Sequence, residues 1–489
     1  MAQLSFSSSD IFTGKHDAVV LFTYEERCDA EARFAQRAGR DLALARSRKE
    51  FEGKRDQLLI VPVDGTPRFL ILAGMGKRAD ATAHRVRTAA FAAANRAREL
   101  GAKTLALEIP AELDAGAVTQ AVTEGAAAGA YTYTQYKTQD TEKRKELDAI
   151  AILSDRTGMA ARQGFDAGVA ISETCALVRD LQNAPSVDLT PELFAQEAAK
   201  AAKSERLAIT VLDKRQLEKQ GYGGIVGVGK GSTAEPRLVT LSYEPKGATR
   251  TIAIVGKGVT FDTGGYSIKP SAGMGLMKFD MSGAAAALGI VRAASRLKLP
   301  VRVIAVMALA ENMISGGAYK PGDVVRTKSG KTIEIENTDA EGRVVLADAL
   351  HHATLLKPDL IIDLATLTGA CVVALGDNAA AVLGTDPVAI DRLRDAGERT
   401  GERLWPLPLW EEYEKDIESQ IADYRNMGLP KMAGTIAGAM LLKQFVGNVP
   451  WVHVDIAGVA WAEMRDRFLT RKGEGTAFGV RLVVDYLRS

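Results

Sequence analysis

Seven consecutive residues, Asn337-Thr338-Asp339-Ala340-Glu341-Gly342-Arg343, set two carboxylates and a guanidinium on alternate positions. In an extended segment side chains two apart share a side, which would bring Asp339, Glu341 and Arg343 into one small volume suited to a cation. The same run also reads as a helix start. Asp339 is then the N-cap and Glu341 lies in the first turn near the positive end of the dipole, ahead of apolar Val344, Val345, Leu346, Ala349 and Leu350. A second cluster adds weight to the cation reading. It runs from Gly256-Lys257-Gly258-Val259-Thr260-Phe261-Asp262 through Ser267-Ile268-Lys269-Pro270 to Met277-Lys278-Phe279-Asp280-Met281. Its glycines predict a loop, following a strand over 251–255, in which the backbone approaches a ligand closely. Asp262, Asp280, Asp339 and Glu341 together offer enough oxygen ligands for two divalent ions, and a desolvated, neutral lysine amine can ligate one of them.

Other chemistries are poorly represented. The five histidines, His16, His84, His351, His352 and His453, form no His-Glu-x-x-His pair, so a metal site must rest on carboxylates. No Gly-x-Ser-x-Gly elbow occurs, which disfavours a serine hydrolase. Cys28, Cys175 and Cys371 are scattered without metal-type spacing and read as reduced and packed. Lys+Arg is 62 against Asp+Glu 61, a net charge of +1, so no global field draws the chain to nucleic acid or an anionic membrane. The first nine residues lack a basic segment followed by an apolar one, and no uninterrupted apolar run approaches membrane-spanning length. The expectation is a soluble, unexported, cytoplasmic protein without membrane association.

The elements that must position these residues alternate between strand and helix. Strands are expected near 18–22, 58–61, 69–72, 104–107 and 150–153, with Ala-rich helices near 81–100 and 115–130 between them. A helical pattern over 158–181, ended by Asn183-Ala184-Pro185, reads as a link. Thr190 then caps a new helix with Pro191 at its first position. Gly227-Val228-Gly229-Lys230-Gly231 lacks the Gly-Lys-Ser/Thr ending of a phosphate loop and reads as a turn. Strands near 238–243, 251–255, 302–307, 332–336, 360–364 and 452–455 alternate with helices near 282–297 and 342–356. The fold class is α/β, with a smaller N-terminal α/β domain (1–155), a linker helix (156–185) and a larger catalytic domain (186–489). The latter's mixed, mostly parallel sheet is covered by helices, and ligands are expected beyond the carboxyl ends of its strands.

These motifs resemble those of the leucine aminopeptidase family, the cytosolic two-metal exopeptidases also called aminopeptidase A in bacteria. The resemblance covers the C-terminal two-thirds. It includes Gly256 to Asp262, Ser267 to Pro270, Phe279 to Met281, Tyr319 to Val325, Asn337 to Arg343, Ala365 to Ala370, His453 to Gly458 and Thr476 to Arg481. It implies that Lys257, Asp262, Asp280, Asp339 and Glu341 hold two divalent ions, Mn2+ or Zn2+, with Mg2+ or Co2+ also compatible. It further implies that Lys269 stabilises the oxyanion and that Arg343 holds a bicarbonate serving as general base. Main-chain groups at Thr366, Leu367 and Gly369 would bind substrate, and Met277, Thr366, Ala457 and Ala460 would line the pocket for its first side chain. The implied activity is release of an unblocked N-terminal residue, leucine among others, from peptides, by a homohexamer. Ala460 is small where a larger residue can occur, which would widen the pocket. Thr263, Ser282 and Val344 also depart from the usual pattern without removing a ligand. Some bacterial relatives double as DNA-binding proteins. A DNA-binding regulatory or recombination accessory role is therefore the alternative reading, with a silent scaffold and a dipeptidase as further rivals, although the near-neutral charge does not support DNA.

Overall fold

The computed structural model describes residues 2–489, which divide into two compact units, the first ending at Ala176 and the second running from Leu177 to Ser489, with the boundary inside the helix Met159–Asn183. In the first unit a six-stranded sheet runs in the order Gln3–Ser7, Ala149–Leu153, Thr104–Glu108, Ala18–Thr23, Phe69–Gly74, Leu58–Pro62, parallel except at the last pair. The helices Ala83–Glu99 and Ala115–Ala130 cover one face through alanines and valines; Asp29–Ser47 covers the other through Phe34, Ala38 and Leu42. The edge strand Gln3–Ser7 and the helix Asp29–Ser47 were not anticipated. The helix carries so many charged residues that its apolar stripe is thin.

The second unit carries an eight-stranded mixed sheet. Its order is Leu404–Pro406, Ala380–Gly384, Trp451–Asp455, Leu360–Ala365, Thr251–Asp262, Arg302–Asn312, Arg237–Tyr243, Ala208–Leu212. The four central strands, Trp451–Asp455 to Arg302–Asn312, are mutually parallel, so their carboxyl ends open on one side. Helix Gly342–Leu355 and helix Gly434–Lys443 pack on one face, and helix Ser282–Arg296 on the other. Thr190 does cap the helix Pro191–Glu205, its hydroxyl accepting from Leu193 N. The glycine-rich run expected as a turn near 227 is instead the end of a short helix, Gly223–Gly229, because Ile225 and Val228 bury one face.

A larger difference concerns the central strand. The strand does not stop at Val255 but runs for twelve residues in all, Thr251–Asp262, so Lys257 and Asp262 stand on a strand and not in a loop. The glycines serve helix packing. A Cβ on Gly256 would sit 2.4 Å from Gly283 O, and one on Gly283 would sit 2.0 Å from Leu364 O. Strand and helix therefore approach more closely than any side chain permits. The segment 271–296 meets a length-and-hydropathy test for a membrane span, a point hidden from a count of uninterrupted apolar residues by Lys278 and Asp280. It is not one straight helix. The chain breaks at Ala272 and Gly273, passes through a 3-10 turn at Gly275–Phe279, and two-thirds of the apolar window is buried within the fold.

Candidate active site

Asp262 ends its strand beside Asn312, the last residue of the neighbouring strand. Asn312 Nδ2 and Gly264 N each donate to Asp262 Oδ1 at 2.8 Å, leaving Oδ2 to Lys269 Nζ at 2.9 Å. Lys257 reaches the same volume from within the strand. Its Nζ lies 2.8 Å from Asp280 Oδ1, 2.8 Å from Glu341 Oε1 and 2.9 Å from Thr366 O. Thr366 Oγ1 donates to Asp280 Oδ1 at 2.6 Å. Asp339 pairs with Lys269 on the outer side of the cluster.

The run 337–343 reaches this arrangement by neither sequence-level route. It is not extended, and Asp339 is not the helix cap. Glu341 occupies the N-cap position in a helical conformation (φ −71°, ψ −32°) without capping with its side chain, which turns inward to Lys257. Arg343, inside the helix, turns away from the carboxylates. It is buried, its Nη1 donates to Asn426 O at 2.8 Å, and its Nε has no hydrogen-bond partner among the described residues.

Oxygens of Asp262, Asp280 and Glu341, all buried, lie within 4.8 Å of one another. Burial and the Asp262 charge push Glu341 up to about 8. Burial pushes Asp280 up to about 6 against the pull of Lys257. Burial opposes the Lys257 ammonium, but Asp280, Glu341 and Asp262 overcome it and hold the amine above the ordinary lysine range. Asp280 Oδ2 and Glu341 Oε1 lie 2.7 Å and 2.8 Å from Lys257 Nζ yet make no hydrogen bond of proper geometry. Four carboxylates thus face two amines, with oxygens left over. The donor set, oxygen-rich with one amine, fits divalent cations better than it fits protons.

A cavity of about 890 Å3 opens above the cluster. Lys257, Asp262, Lys269, Asp280, Asp339 and Glu341 form its polar floor, while Met277, Thr366, Leu367, Gly369 and Ala457 line its walls. Two sequence-expected residues are absent from the lining: Arg343, for the reason above, and Ala460, which is fully buried. Trp461 lines the cavity beside it, stacked on Phe279 with ring centres 5.6 Å apart. Sequence reasoning missed Trp461, Phe279, Asn312 and Asn426. The signal for Asn312 was an amide closing the apolar run 303–310; for Asn426 there was none, because it enters from a distant segment.

Two family models cover most of the chain. The cytosol aminopeptidase family catalytic domain matches residues 176–484 and that family's N-terminal domain matches 18–140. The chain belongs to the cytosol aminopeptidase family. Its class is that of a metallo-aminopeptidase, a hydrolase. A probable cytosol aminopeptidase of Geobacter sp. (strain M21) is 44% identical over 467 residues, spanning 95% of this chain and 93% of the relative. Another, of Roseiflexus castenholzii, is 45% identical over 447 residues, 90% and 91% of the two chains. Among solved structures, the bottromycin maturation enzyme BotP in complex with Mn superposes with a TM-score of 0.86 at 35% identity, covering 96% of this chain and 99% of that one. A tomato leucine aminopeptidase mutant gives a TM-score of 0.88 at 30% identity, covering 100% and 96%. Both matches support the two-domain α/β architecture expected from the alternation of elements.

Proposed function

We propose that the protein removes the N-terminal residue of peptides, leucine among others, with two divalent ions held by Lys257, Asp262, Asp280, Asp339 and Glu341. The observation that carries this reading is the buried carboxylate set around Lys257 at the floor of the cavity. When bound, the ions supply Lewis acidity, polarising the scissile carbonyl and lowering the pKa of the attacking water. Mn2+ or Zn2+ suits the donor set, with Mg2+ and Co2+ as further candidates. Lys257 must then be a neutral amine. Its role needs the positive charge of the ions in place of its proton, since the carboxylates alone keep it charged.

Lys269 has a different part. One-fifth of its side chain is exposed, it sits between Asp262 and Asp339, and those anions hold it protonated despite burial, so it can donate to an oxyanion forming in the cavity. Thr366, Leu367 and Gly369 present main-chain groups to the substrate backbone, and Met277 and Ala457 bound its first side chain. Arg343 cannot take a proton, so its part is electrostatic or anion-holding; the family resemblance implies a bicarbonate there as general base, a role that its burial outside the cavity lining does not favour. A free α-amine is required because the nitrogen lone pair of an acylated one is delocalised into its carbonyl and is not offered to a cation.

The proposed setting is a cytoplasmic homohexamer acting on peptides, organised as an N-terminal domain (1–155), a linker helix (156–185) and a catalytic domain (186–489). Hydrolysis of a leucine chromogenic amide by chelator-stripped protein, with and without added Mn2+, tests the reading. Restored activity is expected; a folded protein inactive with every divalent ion tried would overturn it.

A further inference from the structure

We propose that Asp455 is a positioning residue for the substrate, fixing the Thr366–Gly369 and Ala457–Gly458 walls of the cavity to one another from inside the sheet. This rests on the reading of those walls as the substrate's main-chain partners. Asp455 ends the strand Trp451–Asp455, in register with Ala365 at the end of the adjacent parallel strand, so it lies between the two segments that leave the sheet for the cavity. It is fully buried. Oδ1 accepts from Leu367 N at 3.2 Å, Thr368 N at 3.4 Å and Ala457 N at 3.2 Å, and Oδ2 accepts from Thr368 Oγ1 at 2.6 Å. Thr368 passes the constraint on, its hydroxyl capping the helix Gly369–Leu375 through Cys371 N at 3.1 Å.

The other end of the same wall is tied to the carboxylate cluster. Thr366 O accepts from Lys257, and Thr366 Oγ1 donates to Asp280. Three consecutive residues are therefore pinned, one to the cluster and two to Asp455, which sets the height of the wall over the floor. The three N–H groups on Oδ1 can only donate, and the Thr368 hydroxyl donates to Oδ2, so the two acceptor oxygens of a carboxylate match all four. With a carboxamide, Thr368 Oγ1 must instead accept from the amide nitrogen and turn its proton to Thr435 Oγ1, 2.9 Å away, which changes the tie at that corner. A second buried polar group lies below it in the sheet. On the same face of the sheet His453 Nδ1 lies 2.6 Å from Asp363 Oδ1, and Trp451 Nε1 donates to Asp363 Oδ2 at 2.6 Å. A fold needing only a packed core gains nothing from three buried ionisable groups here, whereas a wall that must hold its spacing gains rigidity.

The test is steady-state kinetics on the Mn2+-loaded, full-length protein with leucine p-nitroanilide, beside calorimetric titration of Mn2+ into stripped protein. Asp455→Asn is expected to raise KM by about tenfold or more, since small misplacements of positioning groups cost that much, with Mn2+ affinity unchanged. Thr368→Val, which removes the hydroxyl's bonds to Asp455, Cys371 N and Thr435 but keeps the carboxylate and its three N–H donors, is expected to raise KM in the same direction. Loss of folded molecules would instead lower apparent kcat and leave KM alone. Wild-type KM in both variants overturns the assignment, as does Mn2+ affinity falling in step with KM. If Asp455→Asn does not fold, unchanged KM in Thr368→Val overturns it alone. A folded wild type that hydrolyses nothing overturns the peptidase reading and this assignment with it, whereas unaltered variants of an active wild type overturn only the assignment.

Discussion

Asn426 Nδ2 donates to Asn337 O at 2.6 Å, joining the short strand Tyr424–Arg425 to the run that carries Asp339 and Glu341. Asn426 is fully buried and uses every polar group it has. Its Oδ1 accepts from Glu336 N at 2.9 Å and its carbonyl from Arg343. In Asn426→Asp an acceptor would face the carbonyls of Asn337 and Ala340, pushing the run off its position. Residues that orient ligands typically account for about 10–100-fold in metal affinity. Calorimetric titration of stripped Asn426→Asp should show Mn2+ binding weakened by that order; wild-type affinity would remove Asn426 from the site's support.

Gly283 supports the site from below, where helix and strand touch. Alanine there would drive a Cβ into Leu364 O, and overpacking of this kind costs about 1–3 kcal/mol. Gly275, in the same stretch, has φ −61° and nothing within 4 Å of an added Cβ, so Gly275→Ala should be nearly neutral. Urea denaturation of the two variants distinguishes a packing requirement from general tolerance. Equal stabilities would mean that the helix can slide away from the strand.

The five proposed ligands were legible because their types and grouping are unusual in any fold, and strand–helix alternation gave the architecture. What misled was local. Gly256 and Gly258 read as loop because glycine density ordinarily marks turns, whereas here Gly256 answers the approach of Gly283 and Gly258 the crowding of Leu309, Ala308 O and Ala284. The alternate spacing of 339, 341 and 343 suggested one shared face, but a helix begins between them and sends Arg343 elsewhere. Asn312, Asn426 and Asp455 take their meaning from neighbours about 25 to 90 positions away, and periodicity carries no such information.

His352 makes stability depend on pH at a distance from the chemistry. Its ring lies between Tyr222 Oη, 2.7 Å from Nδ1, and Thr240 Oγ1, 3.2 Å from Nε2; burial, then Lys328 and His351, push it down to about 4. The native state therefore holds it neutral while the unfolded chain protonates near 6.5. Its contribution is complete above about pH 6.5 and is lost as pH falls towards 4, an effect on the order of 3 kcal/mol. Denaturation of wild type and His352→Gln across that window should give a shallower fall for the variant. Parallel curves would mean that the imidazole titrates normally.

Trp461 bears on which first residues the cavity accepts. Lys278 Nζ lies 5.3 Å from its ring and donates to Asn183 O at 2.8 Å, so the indole is held in place by contact with that ammonium and by stacking on Phe279. Trp461→Ala removes an apolar wall. Side-chain discrimination in such pockets is worth about 1–3 kcal/mol, or roughly 10–200-fold, so kcat/KM should fall by that order for leucine or phenylalanine amides and little for alanine amide. Enlarging Ala460 was the change the sequence suggested for the same purpose. Its full burial, with its carbonyl accepting from Thr476 N, makes Ala460→Met an overpacking substitution, expected to cost about 1–3 kcal/mol of stability. Selectivity altered by Ala460→Met and not by Trp461→Ala would return the pocket wall to Ala460.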